Sequence, residues 1–212
     1  MNTHTIYNLI ILDESGSMES IKAATLSGFN EVVQTIQGAS QQFPEQQHTV
    51  TLVTFNGLGI TTRLNNKPAN ELTLLTDELF QPNASTPLFD AMGRSLLRLE
   101  WELENTTDYT VLVSILTDGE ENASREFTER QIQAMVARLK QHNWSFTYMG
   151  ANHAVQQRAM SLSIEQSITF QTSEQGMKDL FEQERKGRHA FYDKRSKGQS
   201  IREAENGYFD QP

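Results

Sequence analysis

The 212-residue chain contains no cysteine. That excludes disulfides, thiolate zinc sites and a cysteine nucleophile. No apolar run approaches the roughly 20 residues that cross a bilayer, so no membrane partner is expected. Residues 1–7 lack the basic flank and apolar stretch of a secretory leader, and a cytoplasmic location is the expectation. Basic residues are the minority charge, 18 Lys and Arg against 27 Asp and Glu, for a net of -9. This argues against broad nucleic-acid binding, which needs basic surface to neutralise phosphates. Gly-x-Ser-x-Gly, a P-loop, Gly-x-Gly-x-x-Gly and His-Glu-x-x-His are all missing. The five histidines, His4, His48, His142, His153 and His189, show no metal-ligand spacing. His153 reads as a helix-start residue.

What the chain does have is an alternation of strand-like and helix-like segments. Strand-like runs fall at 7–12, 49–55, 58–64, 109–116, 144–149 and 167–171. The run at 109–116 is apolar with almost no alternation, as is Leu9–Leu12. Such strands are buried on both faces, as in a parallel sheet. Asn56-Gly57 between two runs is a hairpin signal and places one reversed strand at a sheet edge. Helical spacing of apolar residues predicts helices over 19–38, 88–104 and 128–141, with a shorter one over 152–161. The expected fold is α/β: a doubly wound, mostly parallel six-stranded sheet with one antiparallel edge strand and helices on both faces.

The domain is expected to close near residue 181. Residues 182–212 hold 7 of the 18 basic and 6 of the 27 acidic residues, so the tail carries +1 and the body -10. The tail reads as a solvated charged helix with a frayed end, or as an arm that orders on a partner. Trp101 and Trp144 read as packing residues.

Three short segments carry oxygen donors at strand ends or helix starts. They are Asp13-Glu14-Ser15-Gly16-Ser17, Ser85-Thr86-Pro87 and Thr117-Asp118-Gly119. Each alone has a plain structural explanation: a turn and helix cap for the first, an N-cap with Pro at the first helical position for the second, a strand-to-turn ending for the third. Together they place two carboxylates and three hydroxyls near one edge of one sheet. That set suits a small hard cation, which takes oxygen ligands and few carboxylates. Glu120, Glu121 and Asn122 follow and read chiefly as a polar turn, alternatively as groups that tune the site.

The pattern Asp-x-Ser-x-Ser, distant Thr, distant Asp resembles the metal-ion-dependent adhesion site of the von Willebrand factor type A (vWA) domain family. All five positions match, over a resemblance spanning roughly residues 5–172. The matching stretches look most like small bacterial, intracellular members. The resemblance implies a Rossmann-like vWA fold. It also implies a metal shell of Asp13, Ser15, Ser17, Thr86 and Asp118 holding Mg²⁺ (or Mn²⁺ or Ca²⁺), and a protein partner that completes the shell with an Asp or Glu. A non-catalytic binding module is therefore expected. The alternatives are a metal-dependent phosphatase-like enzyme, which Ser15 disfavours because it stands where a general acid is wanted, and an adaptor for an AAA+ ATPase or stress-response complex.

Overall fold

The computed structural model describes residues 4–151 and 155–211. Six strands, β1 (His4–Asp13), β2 (Gln46–Asn56), β3 (Gly59–Pro68), β4 (Tyr109–Thr117), β5 (Trp144–Gly150) and β6 (Gln166–Thr169), form one sheet in the order β3-β2-β1-β4-β5-β6. All neighbours pair parallel except β2 with β3. The hairpin register pairs Asn56 with Gly59, so its turn is Gly57-Leu58, one residue later than Asn56-Gly57 suggested. The Asn56 side chain accepts the Leu58 N–H at 2.9 Å and closes it.

The helices are α1 (Lys22–Gln42), α2 (Leu88–Glu102), α3 (Glu129–Leu139), α4 (Val155–Ser161), α5 (Glu174–Ser196) and α6 (Ile201–Glu205), with a short 3-10 turn at Gly16–Ile21 before α1. The first three residues of the helix expected over 152–161, with His153 among them, lie outside the described residues. Side chains of the central strands alternate between two apolar layers. Ile6, Ile10, Leu12, Leu112 and Leu116 meet Phe29, Val33 and Ile36 of α1 and Met177, Leu180 and Phe181 of α5. Leu9, Ile11, Val111, Val113 and Ile115 meet Met92 and Leu96 of α2, Val136 of α3 and Ala159 of α4. Burial on both faces is why β1 and β4 read as continuous apolar runs.

Two features depart from expectation. The boundary at 181/182 falls inside α5, a 23-residue helix. Phe191 and Tyr192 of α5, and Tyr208 beyond α6, are buried, so the tail is not a solvated arm. Its centre is an ion pair laid against the sheet. Arg188 Nη2 lies 2.6 Å from Glu184 Oε1, with side chains 0% and 1% exposed. Arg188 also donates to Asn8 Oδ1 at 2.8 Å and Ser114 Oγ at 2.7 Å. Trp101 is the second departure: it is 75% exposed, whereas Trp144 is buried as expected.

Candidate metal centre

The sheet reverses its order at β1, with β2 on one side and β4 on the other. In such sheets the crevice beyond the strand ends at the reversal collects ligands. Leu12 pairs with Leu116, so Asp13 and Thr117 leave the sheet side by side. Thr117 Oγ1 donates to Asp13 Oδ2 at 2.5 Å. Asp13 Oδ1 accepts the Ser15 N–H at 2.7 Å, which curls the loop back over its own carboxylate. Ser15 Oγ and Ser17 Oγ stand 3.2 Å apart, and Ser17 Oγ donates to Asp118 Oδ1 at 2.6 Å.

Thr86 enters from the loop before α2. A methyl group built on Gly119 would lie 2.8 Å from Thr86 Oγ1 and 3.6 Å from Asp13 Oδ2. The bare backbone of Gly119 therefore leaves room for the Thr86 and Asp13 side chains to approach it together. The structure thus brings together all five residues singled out in the sequence. Asp13, Ser15 and Thr86 are buried at the floor, while Ser17 is exposed at the outer edge and Asp118 half-buried.

The capping alternatives do not account for these hydroxyls. Ser15 precedes the 3-10 turn and Pro87 precedes α2, and neither end has a side-chain cap hydrogen bond. Glu14 is engaged elsewhere: its carboxylate takes the Arg63 guanidinium at 3.2 Å and the Gln81 N–H at 2.5 Å.

Burial pushes the Asp13 carboxyl up to about 6 from its ordinary 3.8; Asp118 adds to the rise, and hydrogen bonds from Thr117 and Ser15 oppose it. Burial likewise raises Asp118. Among the described residues neither carboxylate pairs with a Lys, Arg or His. No group of three or more His, Asp or Glu side chains gathers among those residues either. The set is two carboxylates with hydroxyls, all oxygen, and it lacks positive charge. A hard dication fits that chemistry.

Several residues around the centre support it in ways the sequence does not specify, although Glu121 and Asn122 read from sequence as groups that could tune the site. Thr117 fixes Asp13. Asn122 Oδ1 accepts the Thr86 N–H at 2.9 Å. The Glu121 carboxylate collects the N–H groups of Phe89, Ala123 and Ser124. The Asp90 carboxylate collects those of Arg125, Glu126 and Phe127. The one available signal was position: Glu121 and Asn122 follow Asp118 closely, and Asp90 opens α2.

Fold and site together define a doubly wound domain with an oxygen-rich edge at its switch point. The chain belongs to the von Willebrand factor type A domain family, whose pattern matches residues 9–183. Members commonly serve as protein-interaction modules. Among curated proteins none matches in sequence. Solved structures share the fold at low identity. The pilus adhesin SpaC from Lactobacillus rhamnosus GG, in an open conformation, superposes with a TM-score of 0.58 at 13% identity, over 88% of this chain and 30% of that one. The SpRpn10 VWA domain gives 0.51 at 15%, over 84% and 94%. Proximal thread matrix protein 1 from the mussel byssus gives 0.51 at 12%, over 84% of this chain and 44% of that one. This chain therefore spans less than half the length of two of these three. Among the described residues no helix is long and apolar enough to cross a membrane.

Proposed function

We propose that the chain is a divalent-cation-dependent protein-binding module without catalytic activity of its own. The observation that carries this reading is the meeting of two carboxylates, unpaired with any base among the described residues, with three hydroxyls at the sheet's switch point. Asp13, Ser15, Ser17, Thr86 and Asp118 would hold Mg²⁺, with Mn²⁺ or Ca²⁺ as substitutes. Neutral hydroxyls leave a dication short of negative charge, so it attracts a further anionic ligand. The exposed side at Ser17 is where an Asp or Glu of a partner protein would reach it. The surface is acidic overall, so an acidic partner needs the cation as a bridge.

Calorimetric titration with Mg²⁺ and Mn²⁺ tests the first half. Binding in wild type and its loss in Asp13→Ala is expected; absence of binding in wild type overturns the reading. For the second half, protein captured in Mg²⁺ should be released by EDTA and missed by Asp13→Ala. Equal retention by that variant overturns partner capture through the cation.

A further inference from the structure

The loop that delivers Thr86 is strapped on two sides. Toward the first segment, Asn83 N donates to Glu14 O at 2.9 Å and Gly16 N donates to Ala84 O at 3.0 Å. Toward the third, Asn122 closes a ring: its Oδ1 accepts Thr86 N–H at 2.9 Å and its own N–H donates to Thr86 O at 3.2 Å. Between those straps Ala84 holds a φ of +60°, a left-handed backbone that a residue with a Cβ adopts at a cost. A segment with such a residue keeps its shape only while its neighbours hold it. Asn122 lies four positions after Asp118 on one loop, and Glu121 anchors that loop to the start of α2 through Phe89 N–H at 2.9 Å. Thr86 is thereby hydrogen-bonded to the loop that carries Asp118.

We propose that Asn122 is a positioning residue that locks Thr86 to the Asp118 loop, so that two of the cation's oxygen donors arrive as one preassembled unit. This inference rests on the cation reading above and deepens it. Without the Asn122 acceptor, the Thr86 N–H turns to water and the Ala84–Thr86 backbone gains freedom. Cation binding must then order it, which lowers affinity. Asn122 is itself exposed, so its truncation opens no cavity and the fold should tolerate it.

The test combines two readouts. In EDTA, the Thr86 amide of Asn122→Ala should exchange its hydrogen faster than in wild type, with little change in melting temperature. In calorimetric titrations with Mn²⁺ and Mg²⁺, Asn122→Ala should bind about tenfold more weakly, the range found when outer partners of metal ligands are removed. Asn122→Ala added to Thr86→Val should cost nothing beyond Thr86→Val alone, since the residue acts through Thr86. Wild-type affinity in Asn122→Ala, an unchanged Thr86 exchange rate, or additive losses in the double variant would each overturn the proposal. If wild type takes up neither cation, the metal reading falls and carries this inference with it. Wild-type binding with an indifferent Asn122→Ala removes this inference alone.

Discussion

Ser17 Oγ donates to Asp118 Oδ1 at 2.6 Å across 101 residues of chain. A cation at the centre would compete for both oxygens. Stabilisation by a ligand follows its concentration relative to its dissociation constant, reaching about 2.7 kcal/mol at a hundredfold excess. For a domain of this size that corresponds to a rise of about 5–10 °C in melting temperature. Wild type should show such a rise on saturation with Mg²⁺, and Ser17→Ala and Asp118→Asn should show little of it. Scanning calorimetry with Mg²⁺ and with EDTA reads the difference. A full rise in Ser17→Ala would remove that hydroxyl from the shell.

The mostly parallel six-stranded sheet, its reversed edge strand and the nearness of the five oxygen-bearing residues were legible because each rests on local chemistry. Unbroken apolar runs mark doubly buried strands, Asn-Gly marks a hairpin, and oxygen donors at strand ends meet wherever a parallel sheet reverses. The tail was not legible. Glu184 and Arg188 stand four apart on a helix, the spacing of an ordinary solvent-facing pair. Inside the fold Arg188 is bonded to Asn8 in β1 and Ser114 in β4, polar residues within apolar strands. Those two were the available signal that a polar group packs on that face. Trp101 fails for the opposite reason. Aromatic size favours burial, but the last turns of α2 carry Leu99 and Leu103 inward and leave Trp101 outside.

Truncation after residue 181 should therefore abolish cooperative unfolding, since it removes Phe191, Tyr192 and Tyr208 from the core. A finer test is Arg188→Ala, which strands the Glu184 carboxylate in the interior. Removing one partner of a buried pair typically costs about 3–5 kcal/mol. Replacing both together, as Arg188→Met with Glu184→Leu, should cost clearly less. Urea unfolding of the three proteins distinguishes these outcomes, and a mild effect of Arg188→Ala alone would show that water reaches the pair.

Two buried groups should oppose each other in acid. Asp13 sits at about 6 in the fold against 3.8 ordinarily. An acid raised by folding penalises the fold when ionised. Its cost is fully present above pH 6 and fades as pH falls toward 3.8. His48 is lowered to about 4 from 6.5, by burial first and then by the Arg188 and His4 charges. Its neutral form is the one the fold accepts, so the stability it lends is complete above pH 6.5 and is lost on the way down to about 4. At about 1.4 kcal/mol per pH unit, each amounts to about 3 kcal/mol. In EDTA the two contributions should nearly cancel between pH 4 and 6.5. Asp13→Asn removes one of them. That variant should be more stable than wild type at pH 7.5 in EDTA, lose stability steeply with acid, and gain nothing from Mg²⁺. Denaturant unfolding across this range measures all three, and matching pH curves for the two proteins would show that Asp13 ionises without penalty.

Gly119 offers a steric handle on the same centre. A Cβ there would sit 2.8 Å from Thr86 Oγ1, closer than packed atoms tolerate, and 3.6 Å from Asp13 Oδ2, an ordinary contact. The Thr86 side chain has little room to yield, because the residue is 3% exposed and its backbone is bonded to Asn122. Gly119→Ala should therefore displace the hydroxyl by some tenths of an ångström. A hard cation with near-octahedral demands responds sharply to such a shift. We expect Mg²⁺ affinity to fall by about an order of magnitude, the scale of a disturbed ligand partner. Mn²⁺ or Ca²⁺, with looser geometric demands, should lose less. Stability in EDTA should change by about 1 kcal/mol, within the range for modest overpacking. Equal losses for all three cations would mean that the methyl group disrupts the loop as a whole instead of moving one donor.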